Sequence, residues 1–148
     1  MNDNIRIWIK TYQDIDNPEA DKPIELETTG VFGVINNKYV IKYKESDLTG
    51  FPDTVTCIKI WDKNAVVSRS GKYDMTLKYA EGETNLCLYP TPYGSIGASI
   101  KTFSVDYDLK DRRGWIKVDY SIDTNNEDFL KNSLNIKIEP FESKDKTE

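Results

Sequence analysis

Histidine is absent from this chain. A Ser-His or Cys-His relay, or a metal site that depends on imidazole, therefore cannot be assembled from its own residues. Cysteine is nearly as scarce. Cys57 and Cys87 lie far apart, forming neither a CxxC redox pair nor a Cys-rich zinc frame. A disulfide or a reactive thiol stays open beside the expected reading, two reduced thiols in a cytoplasmic protein. No apolar run approaches the ~20 residues of a spanning helix. The opening Met1-Asn2-Asp3-Asn4 also lacks the basic and apolar regions of a signal peptide. Neither export nor a membrane partner is expected. Positive charge is in deficit, with 20 Lys and Arg against 25 Asp and Glu for a net charge of -5. A phosphate backbone would be repelled, so nucleic acid is not expected as a partner.

What remains is a chain of 148 residues, 38% hydrophobic and 30% charged, long enough for one core. Its apolar residues recur at period two, the spacing of a half-buried strand. Ile5, Ile7 and Ile9 alternate with Arg6, Trp8 and Lys10 in a strand running to Gln13, and the polar stretch Asp14 to Lys22 reads as a loop. A second strand starts near Ile24 and meets Gly30 and Gly33, where a sheet can bend. Asn36-Asn37 turns it into Tyr39, Ile41 and Tyr43. After the loop Ser46 to Asp53, further alternation is carried by Thr56, Ile58 and Ile60, by Ala65 to Ser70, and by Tyr73, Met75, Leu77 and Tyr79. Leu86 and Leu88 precede Tyr89-Pro90-Thr91-Pro92-Tyr93-Gly94, whose prolines bar it from a central ladder and make it an ordered loop or a bent edge. Phe103, Val105, Tyr107 and Leu109, then Ile116, Val118, Tyr120 and Ile122, read as long strands around the turn Asp111 to Gly114. A last strand carries Leu130, Leu134, Ile136 and Ile138 and stops at Pro140.

About ten strands with hairpin-length connections and no helical period predict an all-β, antiparallel, up-and-down sheet that closes into a barrel of about 8–10 strands. One such domain would span 1–141, with 142–148 a charged tail.

The order Tyr43-Lys44-Glu45, Thr49-Gly50, Arg69-Ser70-Gly71, Met75, Glu81-Gly82 and Tyr89-Pro90-Thr91-Pro92-Tyr93-Gly94 resembles the YwiB-like family of small bacterial proteins. The likeness runs from Ile5 to Ile138, and its most specific part is Thr91-Pro92-Tyr93-Gly94 with the preceding tyrosine. It implies a calycin, lipocalin-like barrel. It implies no activity, ligand or catalytic residue.

If Tyr39, Ile41 and Tyr43 face inward, the same period carries Glu45 to the interior near the barrel mouth. Ala65, Val67 and Arg69 form the corresponding face of another strand. Glu45 and Arg69, with Tyr43, Tyr89, Thr91 and Tyr93, are therefore expected to line a polar end of the interior. There an arginine fork can hold a carboxylate or phosphate while tyrosine rings cover an apolar part of the ligand. The competing reading is that Glu45 and Arg69 satisfy each other as a structural pair. Inversion of the register also stays open, because Val40 with Lys42 and Val66 with Ser68 do not fix the orientation. The Tyr-Pro-Thr-Pro-Tyr-Gly run is either a lid or a corner.

Asp106, Asp108, Asp119 and Asp123 read as a solvated face, and Asp14, Asp16, Glu19 and Asp21 do not match a calcium loop. Gly94-Ser95-Ile96-Gly97 lacks the basic centre and flanking helices of a nucleic-acid GxxG loop. Trp8, Trp61 and Trp115 fall on outer faces, where they mark a subunit interface or pack beneath a loop.

The leading expectation is a non-catalytic module binding a small, partly apolar anion, with no metal, no cofactor and no catalytic residue. The alternative is a structural or interaction module with a filled barrel, working as a homodimer or with a protein partner. An enzyme ranks last, since only Glu45 or a tyrosine is available for proton transfer.

Overall fold

Period-two alternation puts every second side chain on one face, and a sheet that buries that face must curl around it. In a computed structural model the chain does this over the described residues, 3–14, 22–45, 53–72, 74–91, 94–123 and 130–142. Among them ten strands and no helix occur. They are β1 (Ile5–Tyr12), β2 (Ile24–Ile35), β3 (Lys38–Lys44), β4 (Thr54–Trp61), β5 (Asn64–Gly71), β6 (Met75–Ala80), β7 (Thr84–Thr91), β8 (Gly94–Lys110), β9 (Arg113–Asp123) and β10 (Leu130–Pro140). The strand order is β6-β5-β4-β3-β2-β1-β10-β9-β8-β7, antiparallel throughout, and β1 pairs with β10 so that Ile7 faces Ile138.

Strand β2 changes partner at Gly30, pairing with β1 up to that residue and with β3 from Val31. A Cβ at Gly30 would run into the Lys42 carbonyl oxygen and come within 2.9 Å of Ile7 Cδ1. Only glycine lets three strands approach this closely. The opposite side of the barrel is nearly closed without a ladder, since β6 and β7 are the two ends of the strand order. Tyr79 of β6 reaches Tyr120 of β9 edge to face, with ring centroids 5.0 Å apart. The β6–β7 turn is also stitched to β8: Gly82 N–H donates to Thr102 O at 2.9 Å, and Thr102 N–H donates to Glu83 O at 3.1 Å.

A bulge between Thr102 and Ser104 corrects the reading of β8. Phe103 was expected to alternate in phase with Val105, Tyr107 and Leu109, but it is exposed while Val105 and Leu109 are buried. The extra residue shifts the phase by one. Glu81 settles the disturbed backbone by accepting the Val105 N–H at 2.9 Å. Strand β8 also begins at Gly94, so Gly94-Ser95-Ile96-Gly97 is strand, paired with β7. Tyr89, Pro90 and Thr91 end the edge strand β7, and Pro92 and Tyr93 lie outside the described residues.

The core consists of inward rows such as Ile5 and Ile7, Ile58 and Ile60, and Ile136 and Ile138. At ~25 cal/mol per Å², burial of each such side chain contributes about 1.5–3 kcal/mol. Near the tight turns at one end, Phe32, Tyr39 and Tyr107 form an aromatic chain across the interior, with centroids 5.9 Å and 6.0 Å apart. That end is plugged.

Candidate functional site

The opposite end is built differently. Residues facing inward there include Thr54, Thr56, Glu45 and Asn132, all buried and all polar. Glu45 is held in place by its own backbone, whose N–H donates to Thr54 O at 2.8 Å. Its side chain is only 2% exposed. The Thr56 hydroxyl donates to Glu45 Oε2, and Arg69 Nε approaches the same oxygen at 3.4 Å. Tyr43 lies close enough for the Glu45 carboxylate to act on its hydroxyl. Burial, and after it the Glu45 carboxylate, raise the Tyr43 hydroxyl well above its ordinary value of 10.0, against an opposing pull from Arg69. The phenol stays protonated and available as a donor.

Pairing explains why these groups meet. Tyr43 lies opposite Thr56 across β3 and β4, and Thr56 lies opposite Arg69 across β4 and β5, so one inward row crosses three strands. The structure therefore brings together Tyr43, Glu45 and Arg69 with the inward register, and the inverted one is ruled out. Tyr89 and Thr91 lie on β7, paired with Ile96 and Gly94, and Tyr93 lies outside the described residues.

Beside this cluster is a cavity of about 460 Å³. Arg69, 17% exposed, stands in its wall. Leu77, Tyr79, Tyr120 and Ile122 supply apolar and aromatic surface, while Thr11, Gln13 and Asn132 supply polar groups. Asn132 Oδ1 also accepts the Asp14 N–H at 3.0 Å, tying the end of the first strand to β10. Thr56, Tyr120 and Asn132 were missed as site residues. Their signal was a polar or hydroxyl-bearing residue in an inward phase: Thr56 shares the phase of Ile58 and Ile60, and Asn132 that of Leu134 and Ile136.

Elsewhere the surface departs from expectation in two places. Trp8 and Trp61 are half-buried with a lysine over each ring, Lys137 Nζ 5.2 Å and Lys38 Nζ 4.1 Å from their ring centroids. Asp106 and Asp108 are exposed, but Asp119 and Asp123 are half-buried, each with one oxygen that finds no hydrogen-bond partner among the described residues. Among the described residues no group of three or more His, Cys, Asp or Glu is placed to hold a metal ion, and both cysteines are free thiols.

The profile of a family described as a domain of unknown function, DUF1934, matches residues 7–136. The chain belongs to this family. Within it the chain is similar to the uncharacterized beta-barrel protein YwiB of Bacillus subtilis (strain 168), with 26% identity over 113 residues, 76% of this chain and 78% of that one. The DUF1934 fold agrees with a solved structure: the crystal structure of the ywiB protein from Bacillus subtilis superposes with a TM-score of 0.79 at 22% identity, covering 95% of this chain and 93% of that chain. The barrel is thus the family's architecture, and the open-ended cavity is a feature to be read from this chain's own residues.

Proposed function

We propose that this protein is a non-catalytic, cytoplasmic binding module that takes a small, partly apolar anion into the open end of its barrel, in the manner of a lipocalin-like fold. One observation carries the reading: the Arg69 guanidinium stands in the wall of a cavity of about 460 Å³, a size within the roughly 300–1,000 Å³ of ligand pockets. The planar fork of a guanidinium matches the geometry of a carboxylate or phosphate, and the contact of Arg69 Nε with Glu45 helps orient it. Tyr79, Tyr120 and Leu77 offer the surface for an apolar part of the ligand. The two free thiols agree with a reducing compartment.

The test is thermal melting of the purified protein with a medium-chain fatty acid, an aromatic carboxylic acid or a nucleoside monophosphate. Binding at a hundredfold excess over Kd stabilises by about 2.7 kcal/mol, a rise in Tm of roughly 5–10 °C for a chain of this size. Arg69→Lys keeps the charge but loses the fork, and is expected to weaken the responding ligand about tenfold. A melting curve indifferent to all three classes, or equal affinity in Arg69→Lys, would overturn the reading.

A further inference from the structure

The two end strands of the sheet are not alike. On β6 the outward residues are Thr76 and Lys78, both exposed, and a lysine on an edge is a common device against strand pairing. Strand β7 has no such guard. From Thr84 to Thr91 it carries no charged residue, and its outward side chains Leu86 and Leu88 are 83% and 68% exposed. An edge strand that is uncharged and leucine-rich is a template for another strand. Its length is limited by Pro90, which has no N–H to give, and by the turn at Glu83, whose carbonyl is bound to Thr102 N–H. The free stretch is Asn85 to Tyr89, centred on Cys87.

We propose that β7 pairs antiparallel with β7 of a second copy of this chain, about a two-fold axis at Cys87. Antiparallel pairing of a strand with itself is two-fold symmetric, as a closed dimer requires. With Cys87 opposite Cys87, Leu86 of each copy lies opposite Leu88 of the other, so all four exposed leucines leave water together. The net charge of -5 on each copy opposes self-association, and this register limits that repulsion by keeping the acidic turn Glu81 to Glu83 of one copy beside the uncharged Thr91 end of the other. The inward faces of the two barrels join across the new ladder. A five-residue strand pair is smaller than the roughly 800 Å² per partner of a standard stable interface, so the association is weak and concentration-dependent.

Light scattering on a gel-filtration column tests it directly. The apparent mass is expected to rise from 17.0 kDa toward twice that value as concentration increases, and the double variant Leu86→Lys/Leu88→Lys is expected to stay at 17.0 kDa with unchanged circular dichroism and Tm. A second readout fixes the register. Residues directly opposite across an antiparallel ladder have Cα atoms about 4.5–5.5 Å apart, within the 4.4–6.8 Å that a disulfide spans. In a Cys57→Ser background, diamide, which accepts the two hydrogens lost by the thiols, is expected to link two copies through Cys87, and not in the double lysine variant. A mass of one chain at about 1 mM, a dimer that survives both lysines, or a dimer that diamide does not link at Cys87 would each overturn the proposal.

Discussion

The two ends of the barrel are made by the same strands and come out as opposites. At one end the connections are the short turns Asn36-Asn37, Asp62-Lys63, Glu81–Glu83 and Asp111-Arg112, where positive φ at Asn36, Asn37, Asp62, Asp111 and Arg112 reverses the chain tightly. Short turns draw strand ends together, and the interior there is filled by Ile5, Ile60 and Leu109 under the Phe32–Tyr39–Tyr107 chain. At the other end longer connections separate Tyr12 from Ile24, Lys44 from Thr54 and Asp123 from Leu130. There the inward positions become Thr, Glu, Arg and Asn, and a cavity remains. The plugged end is therefore expected to carry more of the stability than the open end.

The sharpest way to break that contrast is to cut the same amount of side chain from each end. Ile60 is fully buried between strand neighbours Tyr39 and Ala65. Ile60→Ala should cost about 4 kcal/mol, the upper part of the range for large-to-small core substitutions, because the surrounding turns allow little collapse. Leu77 is 8% exposed and already borders the cavity. Leu77→Ala should cost only about 2 kcal/mol, since it enlarges an existing space. Urea unfolding of both variants decides it, and equal losses would mean that the open end is packed as tightly as the plugged one.

A smaller effect isolates the polar cluster. The Tyr43 hydroxyl has a folded-state pKa above its ordinary 10.0. The folded state therefore holds a proton that the unfolded chain releases. The stabilisation is complete below pH 10.0 and is lost as pH climbs from there toward the raised value, by up to about 1.4 kcal/mol per pH unit. Comparing urea midpoints of the wild type and Tyr43→Phe across that window separates this tyrosine from the other titrating groups common to both. The wild type should fall more steeply, and parallel curves would show that burial of the phenol has no such consequence.

Much of this arrangement was legible in the sequence because a strand's period admits no drift. Once Ile41 and Tyr43 face inward, Glu45 must follow, and Arg69 follows Ala65 and Val67 in the same way. Alternation foresaw the cluster on the condition of an inward register, which it did not itself decide. The bulge at Phe103 could not: no Gly or Pro marks it, and Phe103 looks in phase with Val105 until tertiary contacts at the β6–β7 turn shift the register. The start of β8 was hidden for a related reason, since Gly94-Ser95-Ile96-Gly97 has little intrinsic strand preference and pairs only because β7 lies beside it. The cavity wall was hidden too, because Arg69, Tyr120 and Asn132 become neighbours only when the sheet curls.

The smallest predicted effect sharpens the account of the plugged end. Asn36 and Asn37 have φ of 52° and 65°, the left-handed values that a two-residue hairpin of the favoured twist requires at both positions. Asparagine tolerates this conformation, and glycine at the second position adopts it without a Cβ penalty. Asn37→Gly is therefore expected to raise stability by about 0.5 kcal/mol, the gain from relieved strain being partly offset by the greater freedom of glycine in the unfolded chain. Asn37→Val, branched at Cβ, is expected to lose about 1–2 kcal/mol. Chemical denaturation with a common m-value reads both changes. If neither substitution moved the midpoint, the tight turns would not be what holds this end of the barrel shut, and the aromatic chain beneath them would have to close it alone.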